Sequence, residues 1–183
     1  MRFFLSLILL ISFVVAESPL SNRYHTYDEI QTQLFAWNDE YGSAPNSNYP
    51  SGGIIYELIE VGKSHQDELP FWAVKLTYNA NENHDKPKIL FLGQCHAEEI
   101  LGVEITMALI DILLHPNPQS GTDNFMYPNG YRPSWGDLNA SNIMSILENS
   151  EVWIVPTHNP EGLSVVHGWD DEGTWLQDVT YRK

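Results

Sequence analysis

The chain has 183 residues, 43% of them hydrophobic and 12% aromatic, enough for one folded domain and too apolar for a disordered tail. It carries 9 basic against 24 acidic residues, a net charge of −15, which argues against nucleic acid and anionic membranes as partners. A single cysteine, Cys95, excludes an internal disulfide, so stability must come from packing, a metal or partners.

The N-terminus reads as a targeting segment. Arg2 precedes a nearly unbroken apolar run over 3–15, and small residues end at Ala16 before Glu17. This pattern predicts a signal peptide over 1–16, cut after Ala16, and a secreted or periplasmic protein formed by 17–183. The run is shorter than the roughly 20 apolar residues of a membrane span, so no membrane association is expected after cleavage.

Ile30, Leu34, Trp37 and Tyr41 recur at helical spacing and predict a helix over 27–41, stopped by Gly42. Residues 43–53, rich in Ser, Asn, Pro and Gly, read as a loop. Strands are expected over 54–61 and 70–78, joined by the polar turn 62–69 into a hairpin. The run Ile89-Leu90-Phe91-Leu92 suits a central strand buried on both faces. A helix is expected over 98–114, with Ile100, Val103, Met107, Ile110 and Leu114 on one stripe and Pro116 and Pro118 beyond it. Residues 115–137 form a long stretch rich in Gly, Pro, Asn and aromatics, whose run 125–135 suits a cleft mouth or surface packing. Another helix over 139–149 and a buried strand over 151–156 follow. The remainder reads as a loop, with Asp170-Asp171-Glu172 a solvated acidic stretch. Buried strands with helical crossovers predict an α/β fold, a mixed β-sheet flanked by helices.

His96 and Glu99 form a His-x-x-Glu motif. On a helix, residues three apart share a face, and zinc accepts both imidazole nitrogen and carboxylate oxygen. The same pattern occurs at His65/Glu68 and His158/Glu161. The first falls in a polar turn and the second in Asn159-Pro160-Glu161-Gly162, read as a turn. Only His96 follows a buried strand and precedes a helix, the place where sites gather in open α/β sheets. Cys95 is read as a small apolar residue at the strand end rather than a thiolate ligand.

Separated blocks, in order, carry a wider pattern: 24–30 (Tyr-His-Thr-Tyr-Asp-Glu-Ile), Gly62-Lys63-Ser64, Gly93-Gln94-Cys95-His96-Ala97-Glu98-Glu99, 156–162 (Pro-Thr-His-Asn-Pro-Glu-Gly) and Tyr181-Arg182-Lys183. Together they resemble the zinc carboxypeptidase family of carboxypeptidases A, B and T. The resemblance implies a mixed sheet flanked by helices and one zinc ion bound by two His and one Glu, with His96 matching the first ligand and Glu99 the second. Arg182 matches the arginine that polarises the scissile carbonyl, a task suited to its permanent charge. Peptides or proteins are the implied substrates.

Two departures stand out. Position 98, often an arginine that helps bind the peptide, is Glu98 here. The family's third ligand, its carboxylate-binding arginine, its covering tyrosine and its glutamate general base lie beyond the segment matching Arg182, so the chain reads as a domain truncated at its C-terminal side. His115, His158 and His167 remain as substitute ligands that no context favours. The rival readings are a related zinc amidohydrolase acting on acylated amino acids or cell-wall peptides, and a non-catalytic secreted binding relic of the fold.

Overall fold

The computed structural model describes residue 20 and residues 23–116 and 140–182. The signal segment 1–16 and the aromatic run 125–135 lie outside the described residues.

Helix α1 (Tyr27–Tyr41) forms where its periodicity places it. Thr26 starts it through a capping box. The Glu29 amide donates to the Thr26 hydroxyl at 3.3 Å, and the Thr26 amide donates to the Glu29 carboxylate at 2.8 Å. Tyr27, Ile30, Leu34, Trp37 and Tyr41 are buried on one face. Complete burial of Leu34 stabilises the fold by about 2 kcal/mol, and its truncation to alanine would cost about 3 kcal/mol. At the start of the helix, the Tyr27 hydroxyl donates to the Pro70 carbonyl at 2.6 Å. Burial pushes that phenol up to about 12, so it remains a donor at any ordinary pH.

Strands β1 (Tyr56–Lys63) and β2 (Pro70–Leu76) pair antiparallel as the expected hairpin, with a register shift between Glu60 and Gly62. Strand β4 (Glu151–Thr157) pairs antiparallel with β2 and parallel with β3 (Lys88–Gln94). The resulting order β1-β2-β4-β3 is the mixed sheet of the expected α/β fold. Helix α2 (Leu101–Leu114) lies against β3 and β4, burying Val103, Met107, Ile110 and Leu114 from the expected stripe. Helix α3 (Ala140–Asn149) leads into β4 and buries Ile143 and Leu147. Lys75 is buried in β2, where its ammonium donates to the carbonyls of Ala80 and Glu82 and faces Glu57 at 3.3 Å.

Four expectations need correction. First, β3 is an edge strand among the described residues. β4 pairs with one edge of β3 and no described strand pairs with the other, and side chains of both faces are exposed, Leu90 by 61% and Phe91 by 41%. Second, α2 begins at Leu101 rather than near 98. Hydrogen bonds from Glu99 to His96, Gly102 to Glu99 and Val103 to Ile100 span three residues each and wind 96–100 as tight turns. Third, residues 160–167 are not a loop but helix α4 (Pro160–His167). Asn159 caps it, Pro160 occupies the first turn and Glu161 favours the positive end of the helix dipole, which is a helix start rather than an isolated turn. Fourth, the acidic stretch belongs to a hairpin of β5 (Trp169–Asp171) and β6 (Thr174–Leu176). Glu172 and Gly173 both have positive φ, as a two-residue hairpin turn matched to strand twist requires.

Candidate metal centre

The turn between β3 and α2 carries His96 and Glu99, the two candidate ligands, and its position is set by buried polar groups. Gln94, fully buried at the end of β3, donates to the Ala97 carbonyl at 3.0 Å and accepts from the Thr157 hydroxyl at the end of β4. One side chain thereby ties the turn to two strand ends. The Asn159 amide holds the Cys95 carbonyl at 3.0 Å, and the His158 amide donates to the Gln94 carbonyl at 3.3 Å. Gly93 permits the close approach of β3 to β4. A Cβ there would lie 2.0 Å from the Pro156 carbonyl oxygen, a separation no atom pair tolerates. Gln94 was not singled out from sequence, and Asn159 only as part of the Asn-Pro-Glu-Gly turn; a glutamine two residues after the apolar run 89–92 was the available signal.

Within the turn, His96 Nδ1 faces Glu99 Oε1 at 3.0 Å. The helical face invoked for this pair is replaced by the turn, which brings the two side chains together equally well. Contact with His96 holds the Glu99 carboxyl below the ordinary carboxylate range, with the His96 backbone amide and the Arg182 charge adding to it. The imidazole nitrogen is shut off from solvent without an aligned hydrogen bond. A nitrogen and a carboxylate oxygen 3.0 Å apart fit zinc, whose bonds to such donors are about 2 Å long. The fit extends to two donors. No group of three His, Cys, Asp or Glu able to hold a metal occurs among the described residues.

The third named residue, Arg182, comes from the far end of the chain and forms an ion pair with Glu98, the neighbour of Glu99. Of the other histidines, His158 follows the end of β4, and only its backbone amide is seen to engage the turn, through the Gln94 carbonyl. His115 is buried between Tyr41, at 2.8 Å from its hydroxyl, and Asp111. His167 is buried in α4, and burial pushes its imidazole down. His65 is exposed in the β1–β2 connection. Glu161 is engaged by backbone, accepting from the Gln66 and Asp67 amides at 2.8 and 2.7 Å. The Ser64 hydroxyl and these amides hold its carboxyl below the usual range. The 158–161 pattern therefore fastens the β1–β2 connection to α4. Cys95, read as a small apolar residue at the strand end, is exposed. An open cleft of about 840 Å³ borders this region, lined in part by Asp67, Asn159, Glu161, Trp169 and Tyr181. Neither His96 nor Glu99 lines it.

The family model described as zinc carboxypeptidase matches residues 44–180. A zinc carboxypeptidase of Saccharothrix mutabilis subsp. capreolus is 28% identical over 140 residues, covering 76% of this chain and 25% of the relative. The carboxypeptidase N catalytic chain of Rattus norvegicus is 23% identical over 162 residues, covering 88% of this chain and 28% of its own length. The chain thus spans about a quarter of the curated relatives it matches. Among solved structures, the carboxypeptidase A from Helicoverpa armigera superimposes with a TM-score of 0.58 at 16% identity, over 87% of this chain and 28% of that one, which shows a shared fold. With that family model matching residues 44–180, the chain belongs to the zinc carboxypeptidase family.

Proposed function

We propose that this chain forms part of the catalytic domain of a secreted metallocarboxypeptidase, which hydrolyses the C-terminal peptide bond of peptides or proteins. The observation that carries the reading is the meeting of His96 and Glu99 at 3.0 Å, with Arg182 brought alongside by the ion pair to Glu98. The third ligand and the general base are expected in polypeptide beyond Lys183. The exposed edge of β3 is suited to receive such polypeptide, because an open apolar strand edge is otherwise a site of aggregation.

A zinc ion held by His96, Glu99 and one further donor would supply a polarised carbonyl and a bound water of lowered pKa. This chain's own residues perform the positioning. The buried Gln94 bridge and the Asn159 clamp fix the turn, so the two donors need no rearrangement before binding metal. Arg182 donates to the oxygen that becomes negative as the carbonyl is attacked, a stabilisation worth most in a site closed to water. Export follows from the signal segment 1–16. No described helix is long and apolar enough to cross a membrane.

The test uses protein of full natural length. It should bind one zinc ion and release free C-terminal amino acids from peptides. His96→Ala and Glu99→Gln should each abolish stoichiometric zinc binding while circular dichroism stays unchanged, because both side chains are substantially exposed. Arg182→Ala should bind zinc normally and lose about 10²–10³ in kcat. Release from acylated amino acids but not from peptides would overturn the carboxypeptidase reading.

A further inference from the structure

His167 closes α4 and is 4% exposed, yet neither of its ring nitrogens has an aligned hydrogen bond among the described residues. A buried imidazole in that state is tolerated while neutral and needs a carboxylate once charged. Two carboxylates act on it, Glu29 from α1 and Glu104 from α2, together with the imidazole and backbone of His25 in the segment before α1. Both carboxylates are already engaged, and both hold the entry of α1. Glu104 Oε1 accepts from the His25 amide at 2.8 Å, and its Oε2 lies 2.7 Å from His25 Nδ1. That pair is largely shielded, its side chains being 14% and 19% exposed. Glu29 Oε2 accepts from the Thr26 amide at 2.8 Å and from the Thr26 hydroxyl at 2.9 Å.

The segment after β6 also packs on α4. There the Val165 carbonyl accepts from the Asp178 amide at 3.2 Å and the Val166 carbonyl from the Gln177 side chain at 2.9 Å. The Asp178 carboxylate is turned to Thr180, accepting from its amide and hydroxyl at 2.9 and 2.7 Å. A proton on His167 therefore competes with His25 and Thr26 for the carboxylates that hold them. The imidazole of His25 adds repulsion when both rings are charged.

We propose that His167 is the proton-sensing centre of a latch at the entry of α1. As it takes up a proton it draws Glu104 from His25 and Glu29 from Thr26, and residues 23–29 come away from α2 and α4 while the sheet stays folded. Burial of Leu34, Trp37 and Tyr41 keeps the rest of α1 in place, so the opening is local.

Amide hydrogen exchange tests the latch, on zinc-loaded protein of full natural length between pH 7.5 and 5, with rates corrected for the intrinsic pH dependence of exchange. Protection of the amides of 25–30 should fall by up to about tenfold per pH unit, as one linked proton allows. Amides of β4 should keep their protection. His167→Gln should make protection of 25–30 independent of pH. Both proteins keep His96 and Glu99, so loss of zinc in acid affects them alike. If His167→Gln does not fold, Glu104→Gln decides: low protection of 25–30 already at pH 7.5, with little further response to acid, supports the latch, and wild-type behaviour overturns it. The proposal also fails if wild-type protection of 25–30 is flat with pH, or if His167→Gln keeps the wild-type pH response. It fails as well if β4 loses protection in parallel, since that reports only unfolding of the whole.

Discussion

The side-chain amide of Asn159 donates to the Cys95 carbonyl at 3.0 Å, while its carbonyl oxygen accepts from the Gly162 amide at 3.0 Å. One residue thus caps α4 and clamps the turn that presents His96. Asn159→Ala removes both bonds and should cost about 2 kcal/mol of stability. It should also weaken zinc binding about tenfold, as loss of a supporting partner does at other metal sites. Asn159→Asp keeps the cap and loses only the donor to Cys95. That variant should retain most of the stability in urea denaturation yet show the same loss of zinc affinity. Equal stability losses in the two variants would refute this division of roles.

Gly93→Ala places a Cβ 2.0 Å from the Pro156 oxygen and 2.8 Å from the Thr106 hydroxyl oxygen. The obstruction is backbone on one side, so no side-chain rotation relieves it. The substitution should cost about 3 kcal/mol or more, and amide exchange should speed up along β3 and β4 while β1 changes less. A neutral effect would mean that the two strands do not approach as closely as described.

Acid should destabilise the fold from near neutrality. Burial pushes the His167 imidazole down, against the opposing pull of Glu29 and Glu104. Below about pH 6.5 the unfolded chain binds a proton at this residue that the folded chain resists. The unfolded state then holds more protons, so stability falls as pH drops from there toward the depressed folded value. The Glu161 carboxyl, held low by Ser64 and the Asp67 and Gln66 amides, acts in a lower window. Its contribution is complete above its unfolded pKa and is lost as pH falls through the folded one. Urea midpoints measured between pH 7 and 5 should fall for the wild type and flatten for His167→Phe. Parallel slopes for the two proteins would show that His167 is not the responsible group.

The 183-residue chain should self-associate through β3, whose Leu90 and Leu92 are exposed and which is an edge strand among the described residues. Leu90→Lys and Leu92→Lys should raise the concentration at which light scattering appears, at a stability cost below about 1 kcal/mol. Unchanged scattering would direct attention to other exposed apolar residues such as Leu101 and Ile105.

Helix α1, the β1–β2 hairpin and the apolar stripe of α2 were legible in the sequence, because each depends on local periodicity and on turn residues between periodic segments. The pairing of His96 with Glu99 was legible too, since a spacing of three brings side chains together on a tight turn as readily as on a helix. Asn-Pro-Glu-Gly was misread because the same residues that favour turns also cap helices; the run to His167 that follows decides between them only once it packs. The sequence by itself determined α1, the β1–β2 hairpin, α2 and the mixed α/β sheet, since propensity and periodicity are local properties. Only the tertiary structure decided that the apolar strand 88–94 lies at an edge, that Glu98 meets Arg182, and that Gln94 and Asn159 hold the turn. Each of these is a contact between distant segments, and its energy depends on where the sheet order and crossovers place them in space.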